Sequence, residues 1–148
     1  MQKLLKREDG FTLLELLIVI VIIGILALII VPGLASGPKR ARDTTRKADM
    51  RTVRNALETY YTDYNTYPVG GTYTNLSTAL VPSSLSALPA DPKNTGSYVY
   101  GYQAYIGANQ LGGNCASGTC GSYHLTTTLE NTADTQAVGG VYTVNSVN

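Results

Sequence analysis

The chain has no tryptophan, one phenylalanine (Phe11), one histidine (His124) and two cysteines, Cys115 and Cys120. One histidine and two cysteines fall short of the four ligands of a structural zinc site. There is no Gly-rich phosphate loop, no paired-histidine metalloprotease helix and no serine nucleophile elbow. No catalytic constellation assembles, so the chain reads as a non-enzyme, and His124, beside Leu125 on an expected strand, reads as a surface side chain. Charge is also scarce, at 14% of 148 residues with a formal net charge of +1, which does not by itself favour a nucleic-acid binder. After Asn55 the sole cation is Lys93, against Glu58, Asp63, Asp91, Glu130 and Asp134. Beyond Leu34 the chain is rich in Gly, Ser, Thr, Asn and Tyr and sparse in Leu, Ile and Phe. Such a segment cannot bury a large core and needs support from a packed helix, a disulfide or neighbouring subunits.

What is present is strongly segregated. Lys3, Lys6 and Arg7 precede Glu8, Asp9 and Gly10, and residues 16–31 are then apolar without a break, allowing Gly24. With Pro32, Gly33, Leu34 and Ala35 the run is about 20 residues, enough to span about 30 Å of hydrocarbon as a helix. It is apolar on every side, which suits lipid or the inside of a bundle. A secretory signal peptide has a shorter apolar region ending at a small-residue cleavage site. A plain signal anchor fits the hydropathy equally well.

Ser36-Gly37-Pro38 punctuates the end of the run. Lys39, Arg40, Arg42, Arg46, Lys47, Arg51 and Arg54 then crowd one short stretch. Within it Met50, Val53, Leu57, Tyr60 and Tyr64 recur at helical spacing, predicting an amphipathic helix from about Lys39 to Tyr64. It continues the first helix, with a break or bend expected at Pro32 and Gly33 and loosening at Gly37 and Pro38. Asn65-Thr66-Tyr67-Pro68 and Gly70-Gly71 end it. Asn75–Leu80 suits a short helix stopped by Pro82, and Leu88-Pro89-Ala90-Asp91-Pro92 a loop. Alternation at Tyr98–Gln103, Tyr123–Leu129 and Val138–Val144 predicts three short strands separated by Gly-rich loops. The expected fold class is α+β: a long N-terminal helix, and a small antiparallel meander packed on the stripe of its second half.

Glu15 sits inside the apolar helix, where a carboxylate is costly and ordinarily has a partner or a function. No cation lies within its own segment. A partner could come from another chain or from a new amino terminus made by proteolysis; equally, the carboxyl could snorkel to the nearby interface. Gly10-Phe11-Thr12-Leu13-Leu14-Glu15, the apolar residues 16–27 and the later Pro32 together resemble the N-terminal signature of type IV prepilins and type II secretion pseudopilins. Ala41-Arg42-Asp43, Asn55–Tyr61 and Asn65-Thr66-Tyr67-Pro68 are similar to the stem of major pseudopilins, and Leu88–Pro92 to the loop before their sheet. The resemblance implies cleavage by prepilin peptidase between Gly10 and Phe11, N-methylation of Phe11, and assembly through Glu15 and the Phe11 ammonium of an adjacent subunit. It divides the chain into a leader (1–10), a transmembrane and filament-core helix (11–35), an amphipathic stem (36–67) and a β-rich body (68–148).

The same resemblance implies a structural subunit of a pilus or secretion pseudopilus. Its partners are copies of itself, minor pilins, an assembly platform with its ATPase, and membrane lipid. The body is expected outside the cytoplasmic membrane, although five cations from Lys39 to Lys47 follow the span and three precede it. Long domains translocate despite such charge. In an exported body Cys115 and Cys120 suit a disulfide, with two free thiols as the other reading. Some major pseudopilins hold calcium in late loops; Asp91, Glu130 and Asp134 are the carboxylates available, and they form no recognisable calcium loop. No other cofactor is expected. Some pilins bind DNA, for which Lys39–Arg54 is the candidate stretch. The rival function is a monomeric membrane-anchored binding protein, for DNA or a surface ligand, with the same fold.

Overall fold

The computed structural model describes residues 10–147, and the backbone alone within 31–35. A single helical assignment, α1, covers Leu13–Tyr64. The helical assignment runs through Pro32 and Gly33, where a break or bend was expected, and through Gly37 and Pro38. A helical proline removes one N–H donor, and the turns before and after it keep theirs. The described residues fall into two compact units divided after Pro38.

In the first unit every described apolar side chain from Leu13 to Ile30 is exposed, and this stretch is long and apolar enough to cross a membrane.

The second unit holds the core. Met50, Val53 and Leu57 of α1 are fully buried, as the helical spacing requires. The stripe ends sooner than expected, since Tyr60 is only partly buried and Tyr64 is 63% exposed. The reason lies at Asn65, whose φ of 53° reverses the chain. Asparagine tolerates this left-handed conformation and commonly closes helices this way. Tyr67, fully buried, then enters the core, stacked on Tyr61 and edge-on to Tyr123. A 3₁₀ turn at Tyr73–Asn75 leads into α2 (Leu76–Leu80), which buries Leu76 and Leu80.

Strands β1 (Gly101–Tyr105), β2 (Ser122–Thr128) and β3 (Val141–Asn145) form an antiparallel meander in the order β1-β2-β3. Register places Tyr102 opposite Leu125 and Leu125 opposite Val144. Their side chains meet α1 in one cluster with Ala104 and Tyr123. Burying each full Leu or Val contributes about 1.5–3 kcal/mol. The β1–β2 connection is long and tied down. Cys115 and Cys120, both fully buried, are joined by a disulfide. The Cys120 carbonyl accepts the Tyr67 N–H at 3.0 Å, fixing the loop to the chain leaving α1. Gly121 has to be glycine, because a Cβ there would lie 2.9 Å from the Ile106 carbonyl oxygen.

Candidate functional site

At the N-terminal end Gly10 is exposed and Phe11 is 85% exposed. α1 opens with a reciprocal cap. The Glu15 Oε2 accepts the Thr12 N–H at 2.9 Å and the Thr12 hydroxyl at 2.8 Å. The Glu15 N–H donates to Thr12 Oγ1 at 3.2 Å. This is a capping box, in which the first turn's orphan donors and the two side chains satisfy one another. The Thr-x-x-Glu spacing ahead of an apolar run is its sequence signal. Glu15 Oε1 has no hydrogen bond among the described residues. The carboxylate is thus held in place by one oxygen and presents the other. Of the remaining N-terminal positions, Lys3, Lys6, Arg7, Glu8 and Asp9 lie outside the described residues.

In the second unit the basic stretch Lys39–Arg54 is partly buried. Arg46 is fully buried and holds three carboxylates. Its Nε and Nη2 donate to the two oxygens of Asp91 at 2.6 and 3.0 Å. Its Nη1 donates to Asp43 at 2.7 Å and to Glu130 at 3.0 Å. Arg42 grips Glu130 through Nε and Nη2 at 2.6 and 2.7 Å. Lys93 reaches Glu130 at 3.3 Å and lies 4.2 Å above the Tyr98 ring. Asp43 also accepts the N–H groups of Glu130 and Asn131, at 2.9 and 2.8 Å. Lys47 bonds Asp134 at 2.6 Å and Gln136 at 2.9 Å. Planar guanidinium forks satisfy paired carboxylate oxygens in a way a lysine cannot.

The cluster polarises its members. Arg42 above all, with Arg46 and Lys93, holds the Glu130 carboxyl far below the usual carboxylate range, although burial opposes ionisation. Burial also works against ionised Asp91, but the hydrogen bonds from Arg46 and from the Lys93 and Asn94 N–H groups outweigh it and lower its pKa. Lys47 lowers Asp134.

Asp91, Glu130 and Asp134, the carboxylates weighed as calcium ligands, are each held by cations of the chain. Asp91 and Glu130 meet over the Arg46 guanidinium, while Asp134 pairs separately with Lys47. No His, Cys, Asp and Glu grouping suited to a metal ion occurs among the described residues. The DNA candidate also shrinks. Arg42, Arg46 and Lys47 are committed internally, leaving Lys39, Arg40, Arg51 and Arg54 without ion pairs among the described residues. His124 is half-buried, with Nδ1 2.9 Å from the Tyr105 hydroxyl, and burial lowers its pKa. A second polar anchor is Glu58, which accepts the Tyr67 and Tyr123 hydroxyls at 2.9 Å each.

Residues 5–31 match the family model described as the prokaryotic N-terminal methylation motif. Over 68 residues the chain is 46% identical to the type II secretion system core protein G of Aeromonas hydrophila, covering 46% of each protein. The Pseudomonas aeruginosa core protein G is 41% identical over 63 residues, 43% of this chain and 44% of that protein. The type IV wide pilus major component PilA4 of Thermus thermophilus is 39% identical over 87 residues, 59% of this chain and 62% of that protein. The chain thus spans under half the length of the two secretion proteins and less than two thirds of the pilus component. No solved structure matches it.

Proposed function

We propose that the chain is a member of the type IV pilin and type II secretion pseudopilin family and the precursor of a filament subunit with a structural, non-enzymatic role, a reading supported by the N-terminal methylation motif and by the likeness to core protein G and PilA4. The observation that carries this reading is the N-terminal segment. It is a helix apolar on all faces, bare along its described length, with one ordered carboxylate at its start. A bare apolar surface of this kind needs either lipid or copies of itself.

The steps follow from that surface. The precursor inserts by residues 11–35, with the leader 1–10 on the cytoplasmic side and the stem 36–67 and body 68–148 outside. Prepilin peptidase cuts after Gly10, which removes the leader charges and makes Phe11 an amino terminus for methylation. Thr12 and Glu15 both survive the cut, so the capping box survives it too. In the filament the helices pack side by side, and the open Oε1 of Glu15 accepts the Phe11 ammonium of a neighbour. The pairing sets the axial register, since an unpaired carboxylate in an apolar bundle costs several kcal/mol. An assembly platform with its ATPase, and minor pilins, drive the transfer from bilayer to filament. The product is a pilus at the cell surface or a shorter secretion pseudopilus.

Glu15→Ala tests the register role. Cleavage at Gly10 should stay largely intact while filaments disappear from the sheared fraction. Normal filaments from this variant would refute it.

A further inference from the structure

We propose that the hollow beside Arg40 recognises phosphate and holds the headgroup of an anionic phospholipid. The hollow has a volume of about 320 Å³ and is lined by Arg40, Asp43, Thr44, Lys47, Asn131 and Asp134. Its two carboxylates are already engaged by internal donors. Asp43 accepts Arg46 and the N–H groups of Glu130 and Asn131. Asp134 accepts Lys47 and the Gln136 N–H. The exposed Arg40 has no ion pair among the described residues, so its five fork donors are uncommitted. Lys47 uses two of its three N–H donors internally. Lys47 is paired with Asp134 and Asp43 with Arg46, so Arg40 is the lining charge that has no ion-pair partner among the described residues, with exposed Lys39 adjacent. That donor set suits the oxygens of a phosphate.

The source is chosen by place and by charge. Lys39 and Arg40 follow Ile30, the last residue of the apolar span, by nine and ten residues. Two surplus charges on an open surface hold a free phosphate ion weakly in salt. A headgroup is different, because only ten residues of chain tether Arg40 to Ile30, and that tether makes the encounter with lipid effectively intramolecular. The contact would steady the precursor in the bilayer and release it when the subunit is drawn into the filament.

This inference rests on the membrane reading above, and the test separates the two. The full chain in non-ionic detergent is titrated with phosphatidylglycerol or phosphatidylcholine, and bound lipids are counted by native mass spectrometry. The same protein is floated with phosphatidylcholine vesicles to check insertion. A juxtamembrane cation is worth roughly fivefold in affinity for an anionic lipid. Arg40→Gln should therefore lower phosphatidylglycerol binding about fivefold and leave phosphatidylcholine unchanged. Arg51→Gln, an exposed cation elsewhere on α1, should change neither. Insertion without a preference for phosphatidylglycerol, or equal losses for the Arg40 and Arg51 variants, would overturn the site. Displacement of the lipid by millimolar inorganic phosphate, or by a DNA duplex with the same dependence on Arg40, would overturn the lipid as its ligand. Failure to float would overturn the membrane reading and this site with it.

Discussion

Replacing Arg46 by alanine removes the cation on which Asp43, Asp91 and Glu130 converge. Arg42 and Lys93 still hold Glu130. Asp91 keeps only the Lys93 and Asn94 N–H groups, with its side chain fully buried. Breaking a buried charge pair from one side costs about 3–5 kcal/mol, because the remaining charge stays desolvated. At about 4 °C per kcal/mol for a domain of this size, the body should melt at least about 12 °C lower at neutral pH. Melting of the full chain in detergent, followed by near-ultraviolet tyrosine circular dichroism, reports on the body. The pH dependence sharpens the test. In the wild type Glu130 and Asp91 have depressed pKa values, so their contribution is complete above about pH 5, begins to fade as pH falls past the unfolded carboxylate values near 4, and is lost as pH falls through the lower folded values. In Arg46→Ala the uncompensated Asp91 prefers its neutral form, so acidification relieves a penalty. The two melting curves should converge towards acid pH. A loss below about 4 °C at neutral pH, with parallel pH profiles, would mean that the cluster behaves as a surface salt bridge and would refute the reasoning.

Further outcomes follow from the body. Replacing both Cys115 and Cys120 by serine should cost about 2 kcal/mol in the chain-entropy account of so short a loop, read as a lower melting midpoint under non-reducing conditions. Glu58→Ala takes the acceptor from the buried Tyr123 hydroxyl and one acceptor from Tyr67, and should cost about 1–3 kcal/mol by the same melt, with Glu58→Gln losing less. Burial, aided at Tyr100 by Asp49 and at Tyr123 by Glu58, raises the hydroxyl pKa of Tyr73, Tyr100, Tyr102 and Tyr123. Their folded pKa values lie above the unfolded value near 10, so this contribution is complete below pH 10 and is lost as pH rises beyond it. Ultraviolet titration should show these four ionising only as the body unfolds in alkali.

Much of the fold is legible where a pattern is local. Met50, Val53 and Leu57 mark the buried face of α1, and Tyr102, Tyr123, Leu125 and Val144 alternate in strands that the structure places within a few residues of the expected spans. Asn65 announces the end of the helix. The buried cluster was not legible. Arg46 meets Asp91 across 45 residues and Glu130 across 84, and no spacing rule links them. Composition alone offers Lys39–Arg54 only as a run of cations, the candidate stretch for DNA. The sparse aliphatic content of the body held the clue: a thin core has room for an internal ion cluster and for tyrosines whose hydroxyls reach Glu58, Asp49 and the Pro68 carbonyl. At the N-terminus the apolar run and Glu15 stand out in the sequence, and the geometry adds the Thr12 cap that leaves one carboxylate oxygen open.

The central claim concerns processing and assembly, and intact-mass and N-terminal analysis of the native protein, from both the membrane and the sheared surface fraction, tests it most directly. The account predicts a chain beginning at N-methylated Phe11, found in an assembled filament fraction. A chain beginning at Met1 and confined to the membrane would contradict it and favour an anchored, monomeric binding protein.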